Sequence, residues 1–197
     1  MKIKFILENL EMMKKIKGIK NMLLAITMIL VIACEADDSG TEDTAPRFSF
    51  RISGDGFSRT FTQEDALENL QLNLKHDADY DFIFSGGDAQ GAMRIQMQYP
   101  TNHIEFITQD EFPPAPWEQS FASDFLSAVL FWEGDINNPI TGNILNGTLR
   151  SNGEFVATEL YFRVEGFEDT STSSNLVEGT LQIFIGDHST EVLTINN

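Results

Sequence analysis

One cysteine and three histidines stand in a chain of 197 residues. A single thiol closes no disulfide within the chain, so any core must hold without cross-links. His76, His103 and His188 fit neither H-x-x-x-H nor H-E-x-x-H, which removes the familiar zinc-ligand spacings. Basic residues are scarce, 13 Lys and Arg against 30 Asp and Glu, for a formal net charge of −17. So acidic a chain repels phosphate backbones, and nucleic acid is excluded as a partner. No apolar run reaches the roughly 20 residues of a transmembrane helix. G-x-S-x-G, a P-loop, and a G-x-G-x-x-G between strand and helix are all missing, so no hydrolase or nucleotide-binding motif stands out.

What is present begins with a patterned N-terminal segment. Lys14, Lys15, Lys17 and Lys20 precede residues 22–33, MLLAITMILVIA. A basic region followed by a short apolar run is the pattern of an export signal. At about 1.5 Å per residue, such a run covers roughly 18 Å of a hydrocarbon core about 30 Å thick. Glu35, Asp37 and Asp38 block its extension. Glu8 and Glu11 lie ahead of the lysines, which points to translation starting at Met12 or Met13.

The end of this run, Val31-Ile32-Ala33-Cys34, resembles the lipobox of bacterial lipoproteins, with an aliphatic, a variable and a small residue before cysteine. The resemblance implies that residues 1–33 are a signal peptide with a signal helix. It also implies that the Cys34 thiol carries a diacylglyceryl group and that Cys34 becomes the acylated first residue. At about 0.8 kcal/mol per buried methylene, two or three acyl chains would anchor essentially permanently. The implied location is the outer membrane, with the domain on its periplasmic or its cell-surface side. The acidic cluster after Cys34 resembles the surface-export signal of some Gram-negative lipoproteins, and equally reads as a solvated linker.

Without residues 1–33 the chain keeps 7 basic and 28 acidic side chains, a formal charge of 7 − 28 = −21. Residues 34–46 then form an acylated cysteine and an acidic tether, EADDSGTEDTAP, with no large apolar side chain. Within it, Asp43-Thr44-Ala45 resembles an O-glycosylation tripeptide of such lineages.

Residues 47–197 read as one domain. Phe48, Phe50 and Ile52 alternate in FSFRIS, and FSRTFT follows Gly54-Asp55-Gly56, a hairpin pattern. Thr62 and Asp65 suggest a capped helical turn before Leu70, Leu72 and Leu74 alternate. Tyr80, Phe82 and Phe84 predict a strand, Gly86-Gly87-Asp88 a turn, and Met93 to Tyr99 the returning strand, which Pro100 ends. A short strand is expected at 103–108 and a rigid Pro-rich loop at 109–117. A turn at 120–124 should then lead into a strand from Phe125. Four further runs, 141–150, 154–165, 177–185 and 191–195, are β-like, with Asn152-Gly153 as a hairpin signal. The expectation is an all-β fold, a single antiparallel β-sandwich of about ten short strands. It vaguely resembles the Ig-like domains of exported lipoproteins, without their Cys…Trp…Cys pattern.

The candidate sites are few. Asp77, Asp79 and Asp88 offer hard oxygen ligands for Ca²⁺, although Phe82 occupies the position where a Ca²⁺ loop needs glycine; solvated loop carboxylates are the competing reading. Otherwise no cofactor is expected. Trp117, in the Pro-rich loop, is a candidate exposed face for a glycan, whereas Trp132 reads as core. Asn146-Gly147-Thr148 matches a glycosylation sequon and reads as a turn or bulge. The functional expectation is a lipid-anchored, non-catalytic binding or envelope-structural module. Its partners would be the membrane through Cys34 and envelope proteins or glycans. A carbohydrate-binding accessory domain is the first alternative. A carboxylate-based hydrolase is the second, since 28 acidic residues make some close pair inevitable.

Overall fold

The computed structural model describes residues 45–107, 112–167 and 175–195. The expected signal helix, Cys34 and most of the tether lie outside them. The described chain forms twelve strands rather than about ten: β1 (Arg47–Gly54), β2 (Phe57–Thr62), β3 (Leu70–Lys75), β4 (Asp79–Gly87), β5 (Ala92–Pro100), β6 (Ile104–Ile107), β7 (Glu118–Phe121), β8 (Ser127–Glu133), β9 (Leu145–Ser151), β10 (Val156–Gly166), β11 (Leu176–Gly186) and β12 (Glu191–Thr194). They make a five-stranded sheet, β2-β1-β4-β9-β6, and a seven-stranded sheet, β12-β3-β11-β10-β5-β8-β7. Every pairing is antiparallel except β3 with β11, which is parallel. The all-β sandwich is as expected, with one parallel pair where only antiparallel ones were expected.

Alternation in the sequence becomes burial in the sandwich. Phe48, Phe50 and Ile52 of β1 and Tyr80, Phe82 and Phe84 of β4 all point inward and are sealed. Phe162 of β10 comes from the other sheet and meets three of them, Phe48 at 5.4 Å, Phe50 at 5.0 Å and Phe84 at 5.5 Å between ring centroids. Full burial of one such ring contributes about 1.5–3 kcal/mol. The sheets approach closely beside this cluster, where a Cβ at Gly86 would lie 2.5 Å from a Val164 methyl.

Local chemistry explains the β1–β2 turn. Asp55 and Gly56 take φ of 50° and 76°, the left-handed pair a two-residue hairpin requires. The helical turn expected behind Thr62 is reduced to a 3₁₀ turn at Leu67–Asn69 that starts after Ala66 without a side-chain cap, although the Asp65 carboxylate does accept from the Thr62 N–H at 2.8 Å. Asp55 also accepts from the Thr190 N–H and hydroxyl at 3.2 and 3.1 Å. The Thr190 hydroxyl in turn lies 2.6 Å from the buried Tyr80 hydroxyl, which accepts from the Lys75 N–H at 2.9 Å. This network ties together the β1–β2, β3–β4 and β11–β12 connections.

Several expectations about turns are corrected. Asn152-Gly153 does not close a hairpin, because β9 already pairs with β4 on one side and β6 on the other and has no free edge for β10. The connection instead crosses from one sheet to the other. Gly86-Gly87-Asp88 likewise leads out of one sheet and into the other, not back alongside β4. Asn146-Gly147 lies within β9, opposite Ile83 and Phe82, not in a turn or bulge. Phe125 does not start a strand. It sits in the β7–β8 turn with φ of 58°, unusual for a bulky residue, and β8 begins at Ser127.

The registers give the sandwich two distinct ends. Arg47 lies opposite Gly87 at the end where the described chain begins, the proximal end. At the other, distal end Ser53 lies opposite Asp81, Asp79 opposite Arg150, and Ile104 opposite Ser151.

Candidate functional site

The three carboxylates considered for Ca²⁺ do not converge. Asp79 makes a two-point ion pair with Arg150, at 2.7 Å to Nε and 3.0 Å to Nη2. The guanidinium hydrogen bond holds its carboxyl below the usual range. Asp77 is exposed, with its carboxylate 3.2 Å from His76 Nε2. Asp88 lies beyond the opposite end of the nine-residue β4, roughly 25–30 Å of strand away, and accepts from the Gln90 N–H at 2.8 Å within its own turn. Among the described residues no group of three or more His, Cys, Asp or Glu side chains is placed to hold a metal ion.

Trp117 is not an exposed face. It is buried, 5% exposed, with its ring 6.0 Å from Phe84 and 6.1 Å from Trp132. The turn closed by its N–H on the Pro114 carbonyl at 3.0 Å brings the indole back onto the core. Trp132 is the less buried of the two and packs against the core from β8.

The aromatic surface that does open to solvent lies elsewhere. At one side of the distal half, edge strands β6 and β7 leave a cleft of about 460 Å³, in the range typical of small-ligand sites. Tyr99 and Ile104 form its buried floor. Phe106 and Phe112 are half-buried, with ring centroids 4.5 Å apart, and Tyr99 meets Phe106 edge-on at 4.8 Å. Phe121 is 52% exposed and stands at the rim.

Polar groups surround these rings. The Gln119 amide donates to the Tyr99 hydroxyl. Burial is the main reason the Tyr99 phenol titrates above its ordinary value. Asn152 donates to the Glu105 carboxylate at 3.3 Å, and Glu105 sits opposite Arg150 in the ladder. The rim is positioned by the β7–β8 turn, where Phe125 N–H bonds the Ala122 carbonyl at 2.9 Å and Thr101 N–H bonds the Leu126 carbonyl at 3.1 Å.

A larger hollow of about 620 Å³ opens at the proximal end. It is walled mainly by strand ends and Gly86–Gly87, and its one aromatic residue, Phe48, is buried. It also carries Arg47, Gln63, Glu64 and Asp88 but no open aromatic ring, so the distal cleft, where open rings and polar groups meet, is taken as the candidate site.

Sequence reasoning missed this cleft. Phe106 lies in the short strand expected at 103–108, and nothing local marks β6 and β7 as the edges of two facing sheets. Phe121 falls where a turn at 120–124 was expected, and nothing in that stretch marks it as a cleft residue. No family model matches the chain, and a comparison with curated proteins returned no match.

Proposed function

We propose that this chain is a lipid-anchored outer-membrane lipoprotein whose β-sandwich is a non-catalytic binding module. The four lysines, the short apolar run and Val31-Ile32-Ala33-Cys34 support the anchor. The observation that carries the binding role is the distal cleft, where half-open aromatic rings and convergent amide and carboxylate groups share one concave surface. A tether joining the fold at Arg47 would leave that cleft on the half of the domain away from the attachment point. Acyl labelling of wild type and Cys34→Ala, with protease shaving of intact cells, tests the anchor. Label on the wild type alone is expected, and equal labelling of both would overturn it.

The carbohydrate-binding alternative gains a specific observation from the same cleft, with Phe106, Phe112 and Phe121 in the role first sought at Trp117.

A further inference from the structure

The ligand class follows from three properties of the distal cleft, given that the sandwich is a binding module. The first is an apolar face. Phe106, Phe112 and Phe121 present ring surface that a ligand's C–H groups would cover. The second is a polar rim. Thr101, Glu105, Gln119 and Asn152 carry donors and acceptors around those rings, and a purely apolar ligand would bury them unpaired, at a cost. The third is charge. Among the described residues lining the cleft none is basic, so an anionic ligand meets no counter-charge there. Its one carboxylate, Glu105, accepts from Asn152, while Arg150 opposite it in the ladder is already ion-paired with Asp79, so a cation is the competing ligand class and choline is its probe.

We infer that the distal cleft binds a neutral carbohydrate, its C–H face stacked on the phenylalanine rings and its hydroxyls bonded by Gln119, Asn152 and Glu105. A sugar ring combines an apolar face with a hydroxyl-bearing edge, which is the combination these side chains complement. Gln119 already donates to Tyr99, so its carbonyl oxygen is left to accept a sugar hydroxyl.

The test uses the full chain in a polyoxyethylene detergent, which carries neither sugar nor choline. Calorimetric titration against neutral glucan, mannan, xylan and chitin oligosaccharides is compared with uronic-acid oligomers and choline. At least one neutral oligosaccharide should bind, with Phe121→Ala and Gln119→Ala each weakening it about tenfold or more. Ile136→Ala, at the proximal end and 78% exposed, should leave affinity unchanged. The thermal midpoint of each variant reports folding separately. Neutral-sugar binding that survives both cleft variants would overturn the site while leaving a binding module. Binding of choline or uronic acids alone would overturn the ligand class, and no binding by folded protein would overturn the inference, while the Cys34 labelling result stands independently.

Discussion

Phenylalanine serves two regions of this sandwich in different ways. In the central seam Phe48, Phe50, Phe84 and Phe162 meet across the two sheets and are wholly enclosed. Between edge strands β6 and β7, Phe106, Phe112 and Phe121 come from the same kind of alternating or loop sequence, yet remain partly open beneath a polar rim. The difference is position in the sheets. In the middle each strand is covered on both sides and the rings find partners from the facing sheet. At an edge the facing strands part, and the same side chain is left to contact something from outside the fold. The seam therefore contributes stability, and the edge offers recognition.

That contrast is sharpest when single rings are removed. Phe162→Ala empties the centre of the seam and should destabilise the domain by about 3–5 kcal/mol, read from chemical unfolding. A loss below about 1 kcal/mol would mean the seam is not the core described. Tyr80→Phe probes a polar part of the same interior. Removing a hydroxyl that accepts from Lys75 N–H and bonds Thr190 should cost about 1–3 kcal/mol. At the edge, Phe121→Ala should change stability by no more than about 0.5 kcal/mol, because more than half of that side chain already faces water.

The tyrosines extend the comparison to pH. All three of them, Tyr80 in the core, Tyr99 at the cleft floor and Tyr161 on β10, titrate above the ordinary value, with burial the largest cause in each case. Tyr161 is pushed up to about 12, helped by its hydrogen bond to the Glu178 carboxylate. The unfolded chain releases these protons near pH 10, while the folded chain holds them longer. The native state therefore binds more protons in that window, and stability falls as pH rises from about 10 towards 12. Tyrosinate absorbance should appear at higher pH in the native chain than in denaturant, and Tyr161→Phe should flatten part of the decline. Coincident titrations would contradict this.

Much of the fold was legible because its signals are local. Period-two alternation in FSFRIS and YDFIFS located the inward faces, and Asp55-Gly56 located a true hairpin. Sheet membership was not legible, because it depends on pairings far apart in the chain. Asn152-Gly153 carries a hairpin signal, and the pairing of β9 with β4 and β6 overrides it. The same non-local information hid the candidate site. Trp117 looked exposed because prolines surround it, yet its turn folds the ring inward. Phe106 lies in an expected strand with nothing local to tell core from surface, and β6 and β7 stand at the edges of the two sheets where it is left half-open.

The most direct test of this division is a chemical-shift map of the aromatic rings during titration with a neutral oligosaccharide that binds. Shifts should concentrate on Tyr99, Phe106, Phe112 and Phe121, leaving Phe48, Phe50, Phe84 and Phe162 in place. Shifts centred on the enclosed seam or at the proximal end, with the cleft rings unmoved, would contradict the account.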